Sequence, residues 1–238
     1  MNIQEVLNKI WGQNYIFEFP DFIHKRGYCY SKNNSQKDIL ITGINPSYRE
    51  GTDSFGSFGF DIQDEFENNK YDNYWGPLKK MIFDESQEID LRPKTAYIDI
   101  FYFREKNQKV LKNEFLPNKH GLKFLAEQLN LTQRIIEDII KPKLVIVKNK
   151  ESSGYWGKLA DKSIFWMGYD LEFVESSNIG ELFKIKGLIK SAERIAPEIK
   201  TSNLNNSFIL FTNHINQFTK REKRPTAKQI KELLDRTH

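Results

Sequence analysis

The chain has one cysteine, Cys29, in 238 residues. That excludes an internal disulfide and any cysteine cluster for zinc. The histidines, His24, His120, His214 and His238, stand far apart, which argues against a histidine-rich metal site. No apolar run approaches the about 18 residues that a membrane span needs. The stretch Met1–Gly12 alternates polar and apolar residues and carries Glu5. It lacks the basic and apolar regions of a secretory leader. No repeat or low-complexity linker interrupts the chain. A cytoplasmic location without a membrane partner is the resulting expectation.

What is present is a core-forming composition. The chain is 39% hydrophobic and 13% aromatic, well outside the disordered class and sufficient for one large domain, taken here as residues 1–238. Its mean hydropathy of −0.62 is that of a soluble chain. The net charge is only +4, and it is unevenly placed. Between Thr219 and Arg236 seven basic residues stand against three acidic ones, and the remainder of the chain balances. Lys220, Arg221, Lys223 and Arg224 directly precede Pro225. They read as a solvated loop before the last helix or as a patch for phosphate groups.

Apolar periodicity predicts a helix over 3–11 and short buried strands over 38–44, 95–101, 143–147 and 207–211. It also predicts a helix starting near Pro77, two helices over 121–130 and 132–140, and another opening between Glu151 and Leu159. Residues 171–174 and 182–188 read as strands. A last helix is capped by Thr226 and runs through Leu234. The aromatics Tyr155, Trp156, Phe165, Trp166 and Tyr169 read as core or subunit contact. Strands alternating with helices predict an α/β fold: a three-layer α/β/α sandwich around a mostly parallel four-stranded sheet, with 171–206 as a possible insertion. In such folds ligands bind beyond the carboxyl ends of the strands. That singles out four segments: Gly43–Ser47, Asp99–Arg104, Lys148–Ser153 and Thr212–Phe218.

The first segment is Gly43-Ile44-Asn45-Pro46-Ser47. A strand followed by Asn-Pro is ordinary turn chemistry. Beyond it, glycines at 51, 56 and 59 interleave with Phe55, Phe58 and Phe60. An aromatic held on such a loop offers a flat face to a nucleobase or folds over the core. These residues resemble the first motif of the uracil-DNA glycosylase superfamily, whose mismatch-specific and single-strand-selective monofunctional branches carry GINPG and GMNPG. The latter branch places Phe-Gly thirteen residues after the motif asparagine, the position of Phe58-Gly59 here. Tyr74-Trp75-Gly76-Pro77 is also similar to the superfamily. The likeness in element order spans about residues 35–220, with motif identity confined to short segments. The family's second motif, His-Pro-Ser, is matched only by its histidine, His214, followed by Ile215-Asn216.

The resemblance implies a DNA glycosylase of base excision repair, monofunctional and without metal or cofactor. The superfamily's iron–sulfur branches need four cysteines. It implies that Asn45 positions the attacking water and that neutral His214 donates to the departing base. Phe58 would stack on the extruded base, with Gly43, Pro46, Ser47, Asp99 and Asn216 contacting the substrate. Phe218 would be an apolar wedge into DNA, flanked by Lys220, Arg221, Lys223 and Arg224. Many relatives carry asparagine where this chain has Asp99. An ionised aspartate only accepts hydrogen bonds. It would suit a base with an exocyclic amine, unless it faces away. Substitution of Asn45 or His214 is expected to abolish cleavage with folding intact. Two other readings stand beside this one: a non-catalytic module binding nucleic acid or protein, and a hydrolase of free nucleosides.

Overall fold

The computed structural model describes the chain except Asn69, Tyr71 and His238. Its elements in chain order are α1 (Ile3–Trp11), α2 (Asp21–Arg26), β1 (Cys29–Ser31), β2 (Ile39–Gly43), β3 (Phe58–Phe60), α3 (Ile62–Glu67) and α4 (Trp75–Ile82). Then come β4 (Phe83–Asp84), β5 (Ile89–Asp90), β6 (Thr95–Asp99), α5 (Gly121–Arg134), β7 (Leu144–Val147) and α6 (Ser153–Trp156). The chain closes with β8 (Tyr169–Ser177), β9 (Gly180–Leu188), β10 (Phe208–Thr212) and α7 (Ala227–Asp235). None of the described helices is long and apolar enough to cross a membrane.

The main sheet has six strands in the order β6-β2-β7-β10-β9-β8. The expectation of four strands is therefore corrected. The first four are mutually parallel, while β9 and β8 are antiparallel additions at one edge. Residues 171–206 supply most of that hairpin and the segment leading into β10. Its β8 strand is largely exposed, so its sequence lacks the apolar run that marks the central strands.

Those central strands are apolar throughout because both their faces are covered. Alternate side chains point to opposite faces. Leu40, Ile98, Val145 and Ile209 join α1 and α5 in one apolar cluster. Ile39, Ile41, Ile146 and Leu210 join α3, α4 and α7 in another. Trp156 and Tyr169 are fully buried in the first cluster, as their core reading expected.

Two helix boundaries differ from expectation. The segments 121–130 and 132–140 form one continuous helix, α5 passing into a wider π-turn at Ile135–Ile140. Nothing breaks it at Asn130–Thr132, where the Thr132 hydroxyl donates to the Ile100 carbonyl across the core. The helix stops at Lys141, in left-handed conformation, just before Pro142. In α4 the start lies at Trp75, because the Asp72 carboxylate accepts from the Tyr74 and Trp75 amides. Pro77 still sits in the first turn, where it removes no helical bond. Thr226 does cap α7, in a reciprocal box with Gln229.

The chain leaves β2 towards β6 on one side, and returns to β7 on the other. At that reversal the loops beyond β2 and β7 diverge and leave a crevice.

Candidate functional site

All four parallel strands send residues into this crevice. A cavity of about 390 Å³ is lined by Asn45 and Ser47 after β2, Gln108 after β6, Lys148 and Glu151 after β7, and His214 after β10. A neighbouring cavity of about 310 Å³ shares Ser47 and Tyr74 and adds Pro46, Phe58, Trp75 and Asp99. Pro46, Ser47, Phe58, Asp99, Asn45 and His214 are therefore brought together from four separate stretches of sequence.

Phe58 opens β3, which pairs with β1 rather than with the main sheet. Its ring is 45% exposed. What holds it is Arg104, only 2% exposed. The Arg104 Nη1 donates to the carbonyls of Arg26, Ser54 and Gly56 at 3.0, 2.9 and 2.8 Å. Its guanidinium lies 4.7 Å from the Phe58 ring centroid. One buried cation thus ties the glycine-rich loop to the strand-end segment behind β6.

Asn45 is buried, and its amide is largely committed. Nδ2 donates to the carbonyls of Pro46, Phe103 and Glu105 at 3.0, 3.3 and 2.5 Å. Oδ1 accepts from Gln108 Nε2 at 2.6 Å. The residue staples the loop after β6 to the end of β2, so its loss should cost stability as well as any activity. Asn45→Ala should lower stability by about 1–3 kcal/mol, the penalty for stranding buried polar groups. Urea unfolding at neutral pH measures it, and an unchanged midpoint would refute the staple.

His214 is different. Among the described residues its imidazole has no hydrogen-bond partner. Its pKa is lowered by burial and by the charge of Lys148, against the pull of Glu151. The ring is therefore neutral near pH 7 and lines the first cavity, although the residue as a whole is exposed. Asn216 lines neither cavity. Its Oδ1 accepts from the Phe218 amide at 2.8 Å and closes the following turn, a habitual role for asparagine. Phe218 stands at the tip of that turn, 82% exposed. Lys220, Arg221 and Lys223 follow on the exposed surface without an ion pair among the described residues. Arg224 instead donates to the Gln217 carbonyl at 3.0 Å and braces the loop.

Asp99 is buried and lines the second cavity. It accepts from the Tyr97 hydroxyl at 2.8 Å. Burial raises its pKa to about 6, opposed by the attraction of Lys148 and by that hydrogen bond. Tyr97 is hydrogen-bonded in turn to Tyr74 through their hydroxyls. The Lys148 ammonium sits 3.7 Å over the Tyr74 ring, a cation–π contact. Gly43 lines no cavity and stands behind Asp99 instead. A Cβ there would fall 2.0 Å from the Asp99 carboxylate and 2.5 Å from the Tyr97 hydroxyl.

Arg104 and Lys148 lie in strand-end segments singled out from the sequence, and Tyr74 in the Tyr74-Trp75-Gly76-Pro77 motif, but none of them had a role of its own, and Tyr97 counted only as part of a strand. Lys148 carried the one usable signal, a charged residue directly after the apolar run 143–147. Among the described residues no group of three His, Cys, Asp or Glu is placed to hold a metal ion. Compared with known proteins, the chain matches no family model, no curated relative and no solved structure.

Proposed function

We propose that the chain is a three-layer α/β/α DNA glycosylase that hydrolyses the bond between deoxyribose and a damaged or mismatched base. The supporting observation is the convergence of four strand-end loops on one crevice. There an exposed aromatic, an unbonded neutral imidazole and a buried carboxylate line adjoining cavities. Phe58 offers the stacking face for an extruded base. His214 donates to the charge that develops on that base. Asn45 retains one lone pair on Oδ1 for the attacking water, since an amide oxygen has two and Gln108 uses one. Above pH 6 Asp99 is largely ionised and accepts only. It favours a base bearing an exocyclic amine over uracil. Phe218 and the cations after it are the DNA-contacting edge.

The test uses labelled oligonucleotides carrying uracil, hypoxanthine, xanthine or alkylated adenine, single-stranded and paired, with alkali to reveal abasic sites. The parent protein should release at least one base. His214→Ala should be slower by about 10²–10³, the usual loss for one such donor. Its unfolding midpoint should be unchanged, because the imidazole bonds to nothing in the described fold. The commitment of Asn45 to loop carbonyls favours a second reading, a glycosylase-like fold that binds nucleic acid without chemistry. No release from any substrate, with binding that weakens steeply in salt, would select it.

A further inference from the structure

Lys148 has a role in this site that the family resemblance does not supply. Its side chain is 5% exposed. Among the described residues its ammonium has neither a hydrogen bond nor an ion pair, only the Tyr74 ring at 3.7 Å and the Tyr97 ring at 5.5 Å. A buried cation is normally paired, because leaving water is costly. This one lines the cavity that His214 and Asn45 also line. Its backbone is pinned on both sides. The Lys148 amide donates to the Thr42 carbonyl, and the Ile215 amide donates to the Lys148 carbonyl, both at 3.1 Å. The lysine is therefore held next to His214 by the sheet itself.

We propose that Lys148 is the anion receptor of the crevice, placing its ammonium beside His214 where negative charge gathers on the departing base. This rests on the glycosylase reading. In that reaction the glycosidic electron pair leaves with the base as its anion. The oxygen of water bonds to C1′, and the proton released by water neutralises the departed base. A fixed cation beside the leaving base needs no reorganisation as charge develops. The neutral imidazole beside it adds a hydrogen-bond donor.

The groups facing Lys148 set its charge. Asp99 and Tyr97 approach from β6, Tyr74 from the start of α4, His214 from beyond β10 and Glu151 from its own loop, with Glu105 and Lys106 on the cavity wall. Burial lowers the lysine pKa to about 8, and Asp99 holds it from falling further. Its charged form is therefore disfavoured in the folded chain relative to the unfolded one. That loss of stability is complete below about pH 8. It disappears as pH rises past the unfolded value of 10.5.

Lys148→Met tests this, with Lys148→Arg as the variant that keeps the charge. Lys148→Met should unfold at higher urea than the parent at pH 7, with the gain fading towards pH 11. A proton NMR titration should show the His214 pKa raised in Lys148→Met and little changed in Lys148→Arg. The probe is 8-azaguanine at about pH 7.5, where it is largely a base anion and keeps the exocyclic amine that Asp99 favours. Lys148→Met should bind it at least tenfold more weakly, and excision in single turnover should slow about 100-fold. Loss of stability in Lys148→Met with an unmoved His214 titration would make the lysine merely structural and overturn the proposal. So would unchanged 8-azaguanine affinity, or inorganic phosphate binding as tightly and with the same dependence on Lys148. A parent that excises no base ends the glycosylase reading, while the titration and binding arms still decide the role of Lys148.

Discussion

Arg104→Met is expected to lower stability by about 2–4 kcal/mol and to release the loop that carries Phe58. Three carbonyls lose their shared donor, and each buried group left unbonded costs about 1–3 kcal/mol, less where water reaches it. The carbonyls of Ser54 and Gly56 belong to an exposed loop, so water makes good part of the loss there. That of Arg26 lies deeper. Methionine keeps much of the volume but cannot reach three acceptors. The ring of Phe58 also loses the guanidinium that lies over it. Two measurements check this together. The urea midpoint should fall, and trypsin should cut the native variant after Arg49, where the loop begins, far faster than it cuts the parent. A lower midpoint with unchanged proteolysis would mean that Arg104 supports the core and not the Phe58 loop.

Gly43→Ala should be comparably damaging although it adds one methyl group. The added carbon would stand 2.0 Å from an Asp99 oxygen, far inside contact distance. Overfilling a packed site costs about 1–3 kcal/mol. Here the obstacle is a carboxylate already held by Tyr97, and Gly43 is the last residue of β2, paired with Asp99 of β6 and accepting from the Ile100 amide. Relief requires Asp99 to swing away and surrender its tyrosine. The unfolding midpoint should drop, and any excision activity should fall with it. The revealing variant is Gly43→Ala combined with Asp99→Ala, which removes the obstacle. It should regain part of the lost stability relative to the sum of the two single changes. Strict additivity would show that the methyl group and the carboxylate never compete.

How much of this was legible beforehand depends on how far apart the interacting residues lie. The four parallel strands were visible because burial on both faces demands unbroken apolar runs. Asn45 and Phe58 were visible because their spacing resembles a known motif, and Asp99 and His214 because they stand at the ends of apolar strand runs. Arg104 lay inside a singled-out strand end without a role of its own, and Tyr97 inside a strand, since a buried arginine and a buried tyrosine look in sequence like any other. Their roles arise from carbonyls and hydroxyls dozens of residues away. For Asn216 the nearness to His214 suggested chemistry, while in the fold its side chain closes its own turn. Both strands of the hairpin over 169–188 were read in part, but not their place at the edge of the main sheet, because the outer strand is mostly solvated.

The position of β10 also sets the order in which the sheet can be completed. It is the last strand in the sequence, yet it lies between β7 and β9. The β8–β9 hairpin can form from local contacts as soon as residue 188 is available. It has no partner in the parallel sheet until residues 208–212 arrive to join the two halves. Until then β7 and β9 each present an unpaired edge, the kind of surface that recruits other chains. His214 follows β10 by two residues. The crevice therefore gains its histidine only when the sheet closes, and a partly folded chain with an open edge is also one without an assembled site.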